Sequence, residues 1–211
     1  MSGSDSPLAR LVRGRRMCRA FDPQPIDPSV VDEICDLARR HPSAGNAQGL
    51  RMLVLEGDRC REFWSLTLPE ERRATFRWQR LLDAPVLIIL LADPSVYLAR
   101  YAEPDKARSG LGDDLGSWPT PYWTVDSAMG VMLALLAAEE RGLGALFFAL
   151  FSGEDEVRRH FGVPGHLQTL GVLAIGHPAG GSNAETGTGR SASRPRRPLD
   201  EVVRRGRWTT D

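Results

Sequence analysis

The stretch Ala128–Ala138 is apolar at every position, so a helix formed by it has no polar face to offer to water. Such a helix must be covered on all sides, in a protein core or in a subunit interface. Gly130 allows another element to approach it closely. Thr124 is a candidate N-cap, with Asp126 in the first turn. The run is too short to span a membrane, and we expect it to form the core of a dimer.

A second apolar run, Val86–Ala92, is β-branched and unbroken, which predicts a buried strand. Leu50–Leu55 and Leu167–Ile175 also predict strands, with Gly176 ending the latter. Ala145–Phe151 predicts a short strand followed by a loop. Strands that alternate with helical patterns in this way predict an α+β or α/β sandwich around one small sheet.

Two helix starts are marked by capping residues. Ser6-Pro7 predicts a short helix, and Asp27-Pro28 combines an N-cap with proline in the first helical position. Residues 93–122 contain many prolines and glycines and are predicted to be irregular, which is typical of functional or mobile segments.

Composition limits the class of protein. With 27 basic and 27 acidic residues the net charge is zero, which argues against a nucleic-acid-binding protein. We expect one domain over 1–211, with 1–9 and about 180–193 flexible. The N-terminus lacks the apolar stretch of a signal peptide, and the three cysteines favour a reducing compartment, so the expected location is cytoplasmic.

The sequence carries no recognisable motif of a hydrolase, a zinc site or a dinucleotide-binding loop. Cys18 lies among arginines, which favours a lowered thiol pKa. It has no histidine nearby, so an incidental thiol is the favoured interpretation. We therefore expect no catalytic side chain and no metal, but a bound cofactor that supplies the reactivity.

Two arginine clusters lie near opposite ends of the chain, one at Arg15, Arg16 and Arg19 and the other at Arg196 and Arg197. A guanidinium group suits bidentate binding of phosphate. Two clusters that converge on one phosphate would explain both. The alternative is two solvated basic segments, with the first serving as an arm that binds acidic partners.

Several motifs resemble those of the nitroreductase family. Arg15–Phe21 resembles the opening Arg-x-Ser-x-Arg/Lys-x-Phe, and Pro42–Gln48 resembles the second signature, Pro-Ser-x-x-Asn-x-Gln. Further landmarks follow in family order over roughly residues 10–208: Leu81–Pro85, Pro121–Trp123, Asp126, Gly142–Gly144 and Arg196–Val203.

This resemblance implies an α+β fold with a mostly antiparallel sheet flanked by helices. It further implies an intertwined homodimer with FMN at two interface sites. The implied activity is that of an FMN-dependent oxidoreductase. Hydride would pass from NAD(P)H through flavin N5 to an electron-poor small molecule such as a nitroaromatic or a quinone.

The resemblance also implies which residues contact the cofactor. The first arginine segment and the C-terminal arginines would hold the phosphate, and a loop from the partner subunit would reach the flavin. Arg80, preferred to Arg77, would face the pyrimidine, and the backbone at 148–150 would lie against the ring. The full set is Arg15, Arg16, Met17, Arg19, Pro42, Ser43, Ala44, Asn46, Gln48, Arg80, Phe148, Ala149, Leu150, Arg196 and Arg197.

Two departures from the family pattern leave alternatives open. Met17 replaces the usual serine, and Gly49-Leu50 stands where proline and an aromatic residue are common. A deazaflavin of the F420 type in place of FMN, or a flavin-binding protein without turnover, fits these departures. For the phenylalanines near position 148, an ordinary place in the core is the alternative.

Overall fold

Strand β3 (Val86–Ala92) occupies the centre of the fold, and every one of its residues is buried. In the computed structural model, which describes residues 6–180 and 194–208, β3 pairs with β2 (Leu50–Glu56) and β5 (Gln168–Pro178). Strands β4 (Gly144–Phe148) and β1 (Phe21–Asp22) also pair with β5. All these pairings are antiparallel, which confirms the predicted α+β fold.

One face of β3 is covered by two long helices. Val86, Ile88 and Leu90 point to this face and pack in one apolar cluster with α2 (Pro28–Ala38) and α6 (Tyr122–Glu140). Successive side chains of a strand point to opposite faces, so this cluster contains every second residue. Burial of these side chains contributes about 1.5–3 kcal/mol each to the free energy of unfolding.

The opposite face of β3 carries a second cluster. Leu87, Ile89 and Leu91 pack there against α3 (Asp58–Thr67) and α7 (Glu154–His160). A strand that is apolar at every position requires helices on both sides of the sheet. The structure therefore has three layers, with the sheet in the middle.

The remaining helices are short. They are α1 (Pro7–Gly14), α4 (Glu70–Arg73), α5 (Ser95–Tyr101) and α8 (Leu199–Val202), with 3₁₀ turns at Ala44–Asn46, Gln79–Leu81, Ala107–Ser109 and Leu115–Ser117. Within the described ranges, no helix is both long and apolar enough to cross a membrane.

The predicted caps have different outcomes. Ser6 Oγ accepts a hydrogen bond from the Ala9 amide at 3.2 Å, and the Asp27 carboxylate accepts one from the Ser29 amide at 2.9 Å, so both predicted helix starts are confirmed. The prediction for Thr124 is wrong, because α6 begins at Tyr122, two residues earlier.

Two further predictions are corrected by the structure. Strand β5 does not end at Ile175 but continues to Pro178, because Phe21 and Asp22 pair with its last residues. The segment 93–122 is not irregular throughout, since it contains α5. The predicted flexible residues 1–5 and 181–193 lie outside the described ranges, and residues 7–9 lie in α1.

Gly130 allows close packing within the chain. A Cβ atom at this position would lie 2.7 Å from Leu50 Cδ2 and 2.8 Å from the carbonyl oxygen of Ala38. The element that approaches α6 here is therefore the end of α2. A different face of α6 stays exposed, with Tyr122, Val125, Met129 and Met132 each between 37% and 40% accessible.

We predict that Gly130→Ala lowers the free energy of unfolding by about 1–3 kcal/mol, because the added methyl group overpacks a tight contact. Urea unfolding followed by circular dichroism measures the change. The matched control is Gly165→Ala, where an added Cβ meets no atom within 4 Å. Equal stability of the two variants would contradict the packing assigned to Gly130.

Candidate cofactor-binding site

The first arginine segment lies along the outer edge of β4. Met17 forms an isolated parallel bridge with Ala145, and the Cys18 amide donates to the Ala145 carbonyl oxygen at 2.9 Å. Cys18 and Phe21 are buried. Because this segment completes the edge of the sheet, it is not the free basic arm of the alternative interpretation.

The arginines in this segment lack carboxylate partners. Among the described residues, Arg15, Arg16, Arg19 and Arg80 form no ion pair, although many other arginines of the chain do, for example Arg141 with Glu33 at 2.6 Å. Arg16 Nη1 instead donates to three carbonyl oxygens of its own segment. A group of cations without internal counter-ions is arranged to receive an external anion.

Arg15 provides the most specific sign of a missing partner. Its Nη1 atom is shielded from solvent and has no hydrogen-bond partner within residues 6–180 and 194–208. A buried donor left unpaired costs about 1–3 kcal/mol. A phosphate oxygen at this position would accept from Nη1, so the residues present fit an anionic cofactor.

Trp78 connects Arg19 to the turn that carries Arg80. The guanidinium of Arg19 lies 5.5 Å from the centre of the Trp78 ring, and that of Arg77 lies at the same distance. Arg80 is half-buried in the 3₁₀ turn that follows. Cation–π contacts hold a guanidinium in place while leaving its N–H groups available. The structure thus brings the predicted Arg19 and Arg80 segments to neighbouring positions.

Residues 148–150, which are predicted to lie against the flavin ring, leave the sheet at the end of β4. Phe148 stacks on Trp64 with ring centres 5.8 Å apart, so its side chain belongs partly to the core. Ala149 is exposed and Leu150 is half-buried. Phe151, which follows, is 91% exposed. This stretch therefore combines a side chain packed in the core, Phe148, with two exposed residues, Ala149 and Phe151.

The loop Pro42–Gln48 has an unusual backbone. Asn46 and Gln48 have φ angles of 58° and 55°, in the left-handed region that side chains other than glycine rarely adopt. Ser43 Oγ accepts a hydrogen bond from the Gln48 amide at 2.9 Å, which closes the loop on itself. The Ala44 amide donates to the carboxylate of Asp126 at 2.8 Å.

The predicted site residues thus form two separate groups in one chain. The arginine segment, the Trp78 turn and the end of β4 lie together, whereas the Pro42–Gln48 loop packs against α5 and the start of α6. No hydrogen bond within the described ranges joins the two groups. Arg196 and Arg197 are exposed and form no hydrogen bond or ion pair there, so their convergence with Arg15 stays a prediction.

Two surface cavities lie beside α2 and beside the arginine segment. One, of about 450 Å³, is lined by α2 and Arg141; the other, of about 210 Å³, is lined by Arg16, Cys18 and the Gly142–Gly144 turn, among others. Neither includes a residue of the Pro42–Gln48 loop. The smaller cavity adjoins Arg16, but its lining also includes the acidic Glu139 and does not include Arg15.

The cysteines are not activated. Burial raises the pKa of the Cys18 thiol and outweighs the adjacent Arg19, so the expected lowering is wrong. Burial also raises the pKa of Cys35 and of Cys60 to about 11. Over the described part of the chain, no three His, Cys, Asp or Glu side chains are grouped to hold a metal ion.

Sequence reasoning missed two supports of the site. Trp78 belongs to none of the motifs in the sequence, and Tyr97 lies in a segment predicted to be irregular. A signal for Asp126 was present, since it is the only charged residue in the long helix before its C-terminal glutamates. The hydrogen bond from Tyr97 to Asp126 joins residues 29 positions apart and has no local signature.

The sequence is similar to proteins of a known family. The model of the nitroreductase family matches residues 12–177. A Methanothermobacter thermautotrophicus protein named as an NADH dehydrogenase/NAD(P)H nitroreductase is 26% identical over 179 residues, covering 83% of this chain and 80% of the relative.

Solved structures share the fold. A nitroreductase-like protein of Streptococcus mutans superimposes with a TM-score of 0.73 at 15% identity, covering 93% of this chain and 96% of its own. A Desulfovibrio desulfuricans protein described as a nitroreductase in complex with FMN gives a TM-score of 0.66 at 21% identity, covering 98% and 100%. Because the family model spans more than half of the sequence, and the fold agrees, this chain belongs to the nitroreductase family.

Proposed function

We propose that the protein is an FMN-dependent oxidoreductase that uses NAD(P)H to reduce an electron-poor small molecule such as a nitroaromatic or a quinone. The observation that carries this proposal is the cluster of Arg15, Arg16 and Arg19. Among the described residues this cluster has no counter-ion, and Arg15 Nη1 is a buried donor without a hydrogen-bond partner. The FMN in the Desulfovibrio structure and the NAD(P)H in the name of the archaeal relative support the choice of cofactor and reductant.

In this proposal the chain holds FMN through its predicted contacts. Arg15 and Arg16 bind the phosphate, together with Arg196 and Arg197 of the C-terminal segment. The segment with the exposed Ala149 and the half-buried Leu150 lies beside the ring. When bound, FMN supplies hydride transfer at N5. The chain supplies position and charge, which fits the lack of a recognisable hydrolase, zinc or dinucleotide-binding motif in its sequence.

The charge near the ring comes from Arg19 and Arg80. Placed at the pyrimidine edge, either guanidinium stabilises negative charge on the cofactor through Coulomb attraction at short range. Trp78 limits the movement of Arg19 by stacking against it. A guanidinium held in this way stabilises negative charge on the cofactor without first having to change its position.

Aromatic side chains near this segment fit a flat acceptor. Phe76 and Trp78 pack edge to face, with ring centres 5.8 Å apart. Phe151 is exposed and directly follows residues 148–150, which are predicted to lie against the flavin ring. Apolar walls of this kind bind planar, weakly hydrated rings. We infer that the acceptor binds between these side chains and the flavin.

We further propose that the site is completed by a second copy of the chain. The exposed stripe of Tyr122, Val125, Met129 and Met132 on α6 is an apolar face of the kind found in the core of homodimer interfaces. Pairing through it would bring the Pro42–Gln48 loop of one subunit to the arginine segment of the other. This explains why one chain keeps the two groups apart.

A flavin or deazaflavin carrier without turnover is the second candidate, favoured by Met17. Methionine has no hydroxyl group to donate to a cofactor, and the Met17 side chain instead packs against both apolar clusters. The two candidates differ in reduction: a carrier binds the cofactor but is not reduced by NADH or NADPH.

We predict that the purified protein is yellow, binds FMN, and loses its absorbance near 450 nm when NADH or NADPH is added without oxygen. Failure to take up added FMN would refute the proposed cofactor. Uptake without reduction would identify the carrier instead, and uptake of a deazaflavin in place of FMN would identify the other alternative.

We predict that Arg15→Gln raises the Kd for FMN about 10- to 100-fold, because a charge-assisted hydrogen bond to phosphate is lost. Quenching of flavin fluorescence measures the Kd. Arg39→Gln is the matched control, since Arg39 is exposed and already paired with Asp36. Equal Kd values for both variants would remove Arg15 from the site.

We predict that the double variant Met129→Glu/Met132→Glu is monomeric and binds FMN at least about tenfold more weakly, because buried glutamates oppose pairing of the two faces. Analytical ultracentrifugation gives the mass in solution. Val54→Glu, at a similar exposure of 36% but on β2, serves as the control and should remain a dimer. A dimeric double variant would exclude this face as the interface.

A further inference from the structure

We propose that Asp126 is a positioning residue that holds the Ser43–Gln48 loop in its cofactor-binding conformation, with Tyr97 as its partner. This inference rests on the proposed FMN site and extends it to residues that do not touch the cofactor. Asp126 and Tyr97 lie on α6 and α5, respectively, so they connect the loop to rigid elements of the fold.

The carboxylate of Asp126 joins three parts of the chain. Asp126 is 2% exposed, and its Oδ2 atom accepts from the Ala44 amide at 2.8 Å and from the Tyr97 hydroxyl at 2.9 Å. No cation pairs with it among the described residues. Burying a carboxylate is costly unless donors satisfy it, and hydrogen bonds to a charged acceptor are stronger than neutral ones. The charge is therefore used to hold the amide at the start of the loop.

The loop needs such an anchor because its backbone is strained. Gly45, Asn46 and Gln48 all have positive φ angles, and two of them carry side chains. Conformations of this kind persist only where the surrounding structure fixes them. Arg100 Nε donates to the Gly45 carbonyl oxygen at 2.8 Å, which adds a second anchor beside that of Asp126.

Tyr97 fixes the other end of the loop. Its ring is fully buried, with the rings of Trp118 and Trp123 centred 5.8 Å and 6.2 Å away. A Cβ atom at Gly49 would lie 2.5 Å from this ring, so only glycine fits against it. Burial, together with Asp126, raises the pKa of Tyr97 and keeps its hydroxyl group protonated as a donor. The loop is thus held at Ala44 by Asp126 and at Gly49 by Tyr97.

This arrangement has a consequence for binding. A loop that already has its bound conformation loses little entropy when a ligand arrives, which improves affinity without any new contact. Ser43, Asn46 and Gln48 then depend on Asp126 for their placement, although Asp126 itself stays behind the loop.

The test compares four variants with wild type. Asp126→Leu removes the acceptor, Asp126→Asn keeps one acceptor oxygen, and Tyr97→Phe removes one donor. Ser127→Ala is the matched control, because Ser127 is fully buried on the same helix and its hydroxyl oxygen has no hydrogen-bond partner among the described residues. Two quantities are measured: amide hydrogen exchange of residues 44–49 without cofactor, and the Kd for FMN.

We expect Asp126→Leu to speed exchange at the Ala44 amide and to raise the Kd about tenfold or more, the equivalent of one hydrogen bond. Tyr97→Phe should have a smaller effect in the same direction. Asp126→Asn should recover most of both losses, and Ser127→Ala should change neither. The Asn and Phe variants keep the test valid if the Leu variant does not fold.

Unchanged exchange in Asp126→Leu would overturn the inference, and so would faster exchange with an unchanged Kd. Equal losses in Ser127→Ala would also overturn it, since they would reflect a general loosening of the helix. If wild type binds no FMN, the proposed function fails, and the link from the loop to FMN affinity fails with it. The exchange data would then show separately whether Asp126 holds the loop.

Discussion

The burial of β3 on both faces is the constraint on which the rest of the structure depends. Because no residue of Val86–Ala92 meets water, the sheet requires a helical layer on each side. The layer formed by α2 and α6 places the start of α6 beside the Pro42–Gln48 loop. The layer formed by α3 and α7 supports Trp64 and, through it, Phe148 at the end of β4. Both halves of the candidate site are therefore attached to the same central strand.

The two halves use different physical means. The arginine segment combines several positive charges with a backbone that the sheet holds in place, so its affinity for an anion comes from charge that is not neutralised internally. The Pro42–Gln48 loop contributes no net charge. It offers polar atoms in a conformation that is maintained by hydrogen bonds to Asp126 and Arg100. In the proposed site, the arginine charge would attract the ligand and the loop geometry would orient it.

The sequence predicted features that are encoded locally. Strand β3, the capped helices α1 and α2, and the apolar character of α6 all follow from adjacent residues. Features that depend on distant pairing were not predictable. Phe21 and Asp22 form a strand only because the end of β5 lies beside them. Helix α5 lacks an N-cap side chain from which its start could be predicted. The left-handed backbone at Gln48 has no residue signature, since glutamine gives no reason to expect it. The family motifs predicted most candidate site residues and Asp126, but not Trp78 or Tyr97.

The bridge between Met17 and Ala145 has a consequence for solubility. An uncovered outer strand presents free N–H and C=O groups that recruit strands from other molecules. The segment that carries the arginines lies along β4, and the Cys18 amide uses the carbonyl group that Ala145 would otherwise expose. Positive charges on both sides of this contact repel a second copy that approaches edge to edge. Residues 15–21, which the proposed function assigns to ligand binding, thereby also cover part of this sheet edge and disfavour edge-to-edge association.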